Sequence, residues 1–274
     1  MRFMAKLTNV NLFIKLVQTI DKIGKSCVVH LTPKKVEFIL TSDITDGVQV
    51  WSGINSSSLF DEYRIESKNQ NEIAFELSLD NLLRGLKSGQ LASDITLKLA
   101  KFDGQPTLCI AVKIQSQQQM MSVVQDIPVK LLTAAQLQQF IEPYLPDPEV
   151  YIMLPPLKLM RSVIDRMKNI HDYLIITANM AGDLTLKVET ELVSIATFYR
   201  QLEHPQIEGR SPPRHDPSKS AEVKVDIKKF ARFLYSYQVG PTNVILCLVV
   251  DKAVVLHVLL EDLYLTYYIP VVLS

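Results

Sequence analysis

Apolar residues recur at helical spacing in four places along the chain, and between them the pattern changes to short alternating runs. In NLFIKLVQTIDKI at 11–23, Phe13, Leu16, Val17, Ile20 and Ile23 fall on one face. In LKLMRSVIDRMKNI at 157–170, Met160, Val163, Ile164, Met167 and Ile170 do the same. Both stripes predict amphipathic helices. Each first-half position moved by 147 residues lands on its counterpart, and each helix runs into a strand, CVVHL at 27–31 and LIITA at 174–178.

A second helical pair follows at nearly the same offset. LDNLLRGLKSG at 79–89 aligns Leu79, Leu82, Leu83 and Leu86, and DIKKFARFLYSYQ at 226–238 aligns Ile227, Phe230 and Leu234. Alternating strands come after each: DITLKLA and TLCIAVKI in the first half, NVILCLVV, AVVLHVLL and LYLTYYI in the second. The chain is therefore a half-length repeat of helix, strands, helix, strands. Successive short alternating runs fit antiparallel sheet better than βαβ crossovers, so the expected class is α+β, two similar domains each with two helices packed on antiparallel sheet.

The Pro-rich IEPYLPDPEV at 141–150 precedes the restart of the repeat. This sets expected boundaries of 1–121 for the first domain, 122–150 for a connector and 151–274 for the second domain. HPQIEGRSPPRHDPSKSA at 204–221 reads as a surface loop inserted in the second half.

Composition adds mostly exclusions. A 274-residue chain that is 47% hydrophobic and 21% charged is long enough for two cored domains. The opening MRFMAKLTNV lacks a secretory pattern, and VILCLVV at 244–250 is far shorter than the roughly 20 residues that cross a bilayer. A cytosolic or nuclear protein without membrane contact is expected. Cys27, Cys109 and Cys247 are odd in number, lie in apolar runs and form no CxxC pair, which reads as buried free thiols.

Catalytic patterns are missing. His30, His171, His204, His215 and His257 are scattered without HExxH or i,i+4 pairing, and GxxxxGK[ST], GxGxxG and GxSxG do not occur. No metal, no cofactor and no catalytic residue is expected. Carboxylate pairs such as Asp61 with Glu62, or Glu189 with Glu191, could serve acid–base work, but Glu189 and Glu191 read more simply as the solvent face of a strand. An enzyme whose site is built from unrecognised parts remains the alternative of another class.

Charge distribution changes the picture more than net charge, which is zero. The four helical segments carry Lys15, Lys22, Arg84, Lys87, Lys158, Arg161, Arg166, Lys168, Lys228, Lys229 and Arg232 against Asp21, Asp80, Asp165 and Asp226. Eleven basic and four acidic residues give +7 on the helices and leave −7 on the rest. Any one such residue is commonly a solvated face. Four basic helices against an acidic remainder are better explained by a shared anionic partner.

The repeat, the basic helices and the ending LYLTYYIPVVLS together resemble the PCNA-like sliding clamp fold. More specifically, QDIPVKLL at 125–132, PDPEVYIMLPPLKLMRSVIDRMKNI at 146–170 and LTLKVETELVS at 184–194 resemble the Hus (Hus-one) family of checkpoint clamp subunits, as do MRFMAKL and EFIL at 37–40. The resemblance implies a nuclear, non-catalytic subunit of a heterotrimeric ring with two Rad-family subunits. A clamp loader would place the ring on double-stranded DNA at damage sites, where it recruits checkpoint and repair factors.

Carried onto this chain, the eleven basic helix residues would face DNA. One subunit interface would be the edge strand from Thr107 to Gln115, with Thr107, Leu108, Cys109, Ile110, Ala111, Val112 and Lys113 at its centre. The other would be Leu192, Val193, Ser194, Ile195, Ala196, Thr197, Phe198 and Tyr199. A partner groove would form from Ile127, Pro128, Val129, Leu131 and Leu132 of the connector near Ile269 and Pro270. A homotrimeric replicative clamp of the PCNA type is the alternative within the fold.

Overall fold

The computed structural model describes residues 1–41, 47–90, 92, 94–115, 120–205 and 217–272. Two compact units emerge, Met1–Thr41 with Val50–Glu142, and Ser42–Gln49 with Pro143–Ser274.

In the first unit, β1 (Arg2–Leu7) leads into α1 (Val10–Asp21), whose Asn9 cap accepts a hydrogen bond from the Leu12 amide at 3.2 Å. Then come β2 (Ser26–Leu31), β3 (Lys35–Thr41), β4 (Gln49–Asn55), the single turn α2 (Ser56–Leu59), β5 (Phe60–Glu66), β6 (Ile73–Ser78) and α3 (Leu79–Ser88). β7 (Asp94–Phe102), β8 (Gln105–Gln115), β9 (Met120–Pro128), β10 (Lys130–Leu132) and the short α4 (Ala134–Leu137) complete it. Strand orders are β10-β6-β2-β3-β4 and β5-β1-β7-β8-β9.

The predicted apolar stripe of α1 is its buried face: Phe13, Leu16, Val17 and Ile20 are all shielded from solvent. At about 1.5–3 kcal/mol per large buried side chain, this face holds the helix far more firmly than propensity does. Phe13 bridges the two sheets, with ring centroids 5.8 Å from Phe38 on β3 and 6.1 Å from Phe60 on β5. α3 lies so close on β8 that a Cβ at Gly85 would come 2.7 Å from Ile110 Cδ1, which explains glycine in the middle of a helix.

On β2, His30 stands between two carboxylates. Its Nδ1 is 2.8 Å from Glu37 and its Nε2 is 3.4 Å from Glu72, the latter within ion-pair range but not aligned as a hydrogen bond. The hydrogen bond to Glu37 raises the His30 pKa above its ordinary 6.5, helped by both negative charges and opposed by partial burial. A raised folded-state pKa contributes stability that is full below the unfolded value and disappears as pH rises through the folded one. We expect the denaturation midpoint of wild type to exceed that of His30→Gln most below the ordinary imidazole value of 6.5, and the gap to shrink as pH rises above it. A pH-independent gap in urea titrations would contradict the pairing.

The second unit repeats this plan. β11 (Val150–Met153), α5 (Leu157–Met167), β12 (Tyr173–Asn179), β13 (Leu184–Glu189), β14 (Ser194–Tyr199), β15 (Ser220–Asp226) and α6 (Ile227–Phe233) precede β16 (Asn243–Val249), β17 (Ala253–Leu259) and β18 (Leu263–Pro270). Strand neighbours run β15-β12-β13-β14 and β11-β16-β17-β18. These match β6-β2-β3-β4 and β1-β7-β8-β9 strand for strand, and α1 and α5 begin 147 positions apart, at Val10 and Leu157. Among the described residues, β5, β10, α2 and α4 have no counterpart in the second unit.

Three expectations are corrected. Residues 122–132 are not connector: most of β9 and all of β10 lie there, paired to β8 and β6, and the longest stretch of 122–150 without regular structure is 140–148. The helix expected over 226–238 is α-helical only to Phe233 and continues as a 3-10 turn, Leu234–Val239, closed by left-handed Gly240 at φ 71°. Glu191 sits in the β13–β14 turn, not on the strand face with Glu189. Much of the expected 204–221 loop, including His215, lies outside the described residues, and Ser220 and Ala221 already belong to β15.

Candidate nucleic-acid and subunit interfaces

Burying one face of each helix leaves the other to solvent, and the basic residues occupy it. Lys15 and Lys22 of the first stripe, Arg84 and Lys87 on α3, Lys158, Arg166 and Lys168 on or just after α5, and Lys228 and Arg232 on α6 are exposed, while Arg161 and Lys229 are half-buried.

Local partners divide this set. Arg84 pairs with Asp80 at 2.7 Å, Lys168 with Asp165 at 2.7 Å, and Lys228 with Asp172 at 2.8 Å. Their hydrogen bond lowers the Asp172 pKa and raises that of Lys228. Arg161 is committed more fully. Its guanidinium donates to Tyr235 Oη at 2.9 Å and Tyr237 Oη at 3.2 Å, covers the Tyr235 ring at 4.1 Å and lies 3.5 Å from Asp165. Arg161 thus braces α5 against the 3-10 turn, a structural commitment the other basic helix residues do not share to this degree.

Lys15, Lys87 and Lys158 have no ion-pair partner among the described residues and present open ammonium groups. Arg166 is also unpaired among them, but it shares a cleft with Val163, Ile170, Ile195 and Thr197 and so stands beside β14.

The strand edges differ from expectation in the first unit. β8, with Thr107, Leu108, Cys109, Ile110, Ala111, Val112 and Lys113, is hydrogen-bonded to β7 on one side and β9 on the other. It has no free edge, so β9 replaces it as the terminal strand, with Met121 54% and Val124 55% exposed. In the second unit β14 is terminal as expected, though it begins at Ser194 and leaves Leu192 and Val193 in the preceding turn. Its apolar side chains are open, Phe198 at 64% and Ile195 at 38%. Unpaired edges with exposed apolar residues are unusual on monomers and invite strand addition.

The expected partner groove is corrected as well. Ile127, Val129 and Ile269 are buried and cannot present side chains to a partner, whereas Pro128 and Leu131 are exposed, and Leu132 and Pro270 are half-buried.

No group of three or more His, Cys, Asp or Glu placed to hold a metal occurs among the described residues, and no described helix is long and apolar enough to cross a membrane. All three cysteines are buried and outside any disulfide.

Two repeated units with helices on antiparallel sheet define the PCNA-like clamp fold. A solved proliferating cellular nuclear antigen from Entamoeba histolytica superposes with a TM-score of 0.75 over 99% of both chains at 16% identity, a likeness of fold. The family model for Hus1-like protein matches residues 1–273, and the chain belongs to that family. It is 44% identical to the checkpoint protein hus1 homolog of Dictyostelium discoideum over 100% of both chains. It is 37% identical to checkpoint protein HUS1 of Homo sapiens, over 98% of this chain and 99% of the relative.

Proposed function

We propose that this chain is a non-catalytic subunit of a checkpoint clamp: a heterotrimeric ring, completed by two Rad-family subunits, that encircles double-stranded DNA at damage sites in the nucleus. A clamp loader places it there, and it recruits checkpoint and repair factors. The observation that carries the reading is two unlike terminal strands, β9 and β14, with exposed apolar side chains and no second strand partner among the described residues, on a chain of clamp fold whose helices carry cations unpaired among those residues. Strand addition at both edges would continue the sheets into two neighbours, and a closed ring holds DNA topologically, so weak, sequence-independent phosphate contacts suffice.

β9 carries Asp126 while β14, SIATFY, has no charge, so the edges are not copies of one another. Sedimentation of the purified chain should give a monomer alone and a complex of three chains once both Rad-family subunits are added. A stable homotrimer in dilute solution would move the assignment to a replicative clamp.

A further inference from the structure

Nine of the ten tyrosines sit in regular structure: Tyr63, Tyr151, Tyr173, Tyr199, Tyr264, Tyr267 and Tyr268 in strands, Tyr235 and Tyr237 in the 3-10 turn. Tyr144 is the tenth. It lies in the stretch 140–148 without regular structure, and its side chain is essentially outside the protein, 97% exposed. Among the described residues, Pro143, Tyr144, Leu145 and Pro146 make no backbone–backbone hydrogen bond. The next residue faces the opposite way: Leu145 packs on the patch formed by Cys247, Val249, Ala253 and Val255. One apolar anchor therefore pins the segment while Pro143, Pro146 and Pro148 stiffen it and the tyrosine ring stands in water.

An aromatic ring left in solvent contributes little to this fold, and the Tyr144 backbone, with no backbone partner among the described residues, is open to pairing with another protein. Those are the requirements of an enzyme that must draw a tyrosine and several flanking residues, extended, into its own cleft. The flanks Glu142, Asp147 and Glu149 are acidic, which suits a cleft lined with basic residues.

We propose that Tyr144 is a phosphorylation site for an acid-preferring protein tyrosine kinase. In the reaction the Tyr144 Oη attacks the γ-phosphorus of ATP and forms the new O–P bond. The bond to the β,γ-bridging oxygen breaks, ADP leaves with that electron pair, and the phenolic proton passes to the kinase's base. The product adds about two negative charges to an acidic, outward-facing segment. It stays available to an arginine-lined phosphotyrosine-binding module.

The test goes beyond ring assembly and does not depend on it. The full-length chain is incubated with ATP and an acid-preferring tyrosine kinase, and the sites are mapped by mass spectrometry. The same peptides are mapped in chain isolated from its own cells after phosphatase inhibition. Tyr144 should carry at least about tenfold more phosphate than any other tyrosine, because the others require local unfolding to react. Tyr144→Phe should remove most of the incorporation without moving the thermal midpoint. Phosphate confined to other tyrosines, unchanged incorporation in Tyr144→Phe, or no phosphate on Tyr144 from cells would each overturn the proposal.

Discussion

With Lys15, Lys87 and Lys158 all changed to Glu, the proposed ring should lose most of its hold on duplex DNA while each subunit still folds. These three ammonium groups are exposed and lack ion-pair partners among the described residues, so no internal contact is broken by reversing them. Exposed surface changes of this kind typically move stability by no more than about 0.5 kcal/mol. Each phosphate contact contributes about 0.9 to the slope of log affinity against log salt, so losing three should flatten the slope by roughly 3. The loss should be equal across DNA sequences, because phosphate contacts carry no base information. Arg161→Ala is the contrast: it should leave the slope unchanged and cost about 1–3 kcal/mol of stability, since it removes a stacked guanidinium and charge-assisted bonds to Tyr235 and Tyr237. An unchanged slope in the triple variant would make the helix faces ordinary solvated surface.

Placing a lysine on either free edge should be as damaging to assembly as the first change is to DNA binding. Ile195→Lys on β14 and Val124→Lys on β9 each put an ammonium where an added strand would bring apolar neighbours, a device natural edge strands use to refuse partners. Both positions are open in the subunit, at 38% and 55%, so the fold should tolerate them. Each should weaken association with one Rad-family subunit by about 2–4 kcal/mol, roughly 30- to 1,000-fold in dissociation constant. Titrations with each partner separately should show the two variants failing against different neighbours. Normal binding by both would remove β9 and β14 as interfaces.

The helix stripes were legible because their periodicity is local: Phe13, Leu16, Val17 and Ile20 declare a buried face without reference to the rest of the chain. The repeat was legible for the same reason, and four strands of each sheet in the first unit have counterparts in the same order in the second. β9 was missed because the prolines further on drew the expected domain boundary too early. Met121, Val123 and Ile127 on one side, interrupted only by Gln125, were the available signal. Which strand is terminal cannot be read from any one strand, since it depends on pairing partners distant in sequence. Arg161 shows the same limit, because nothing near it announces tyrosines 74 and 76 residues away.

The buried thiols bear on where such a protein can work. Oxidation proceeds through the thiolate, and burial pushes the pKa of Cys27 well above its ordinary value, with the nearby Glu76 charge adding to the effect. Burial raises Cys109 as well, assisted by Asp126. Cys247 is shielded beneath Leu145, Tyr151 and Tyr268. A subunit built this way should pass through a burst of peroxide without sulfenic acid or mixed-disulfide formation. Redox inertness of that kind suits a protein whose occasion for action is the same chemical stress that injures DNA.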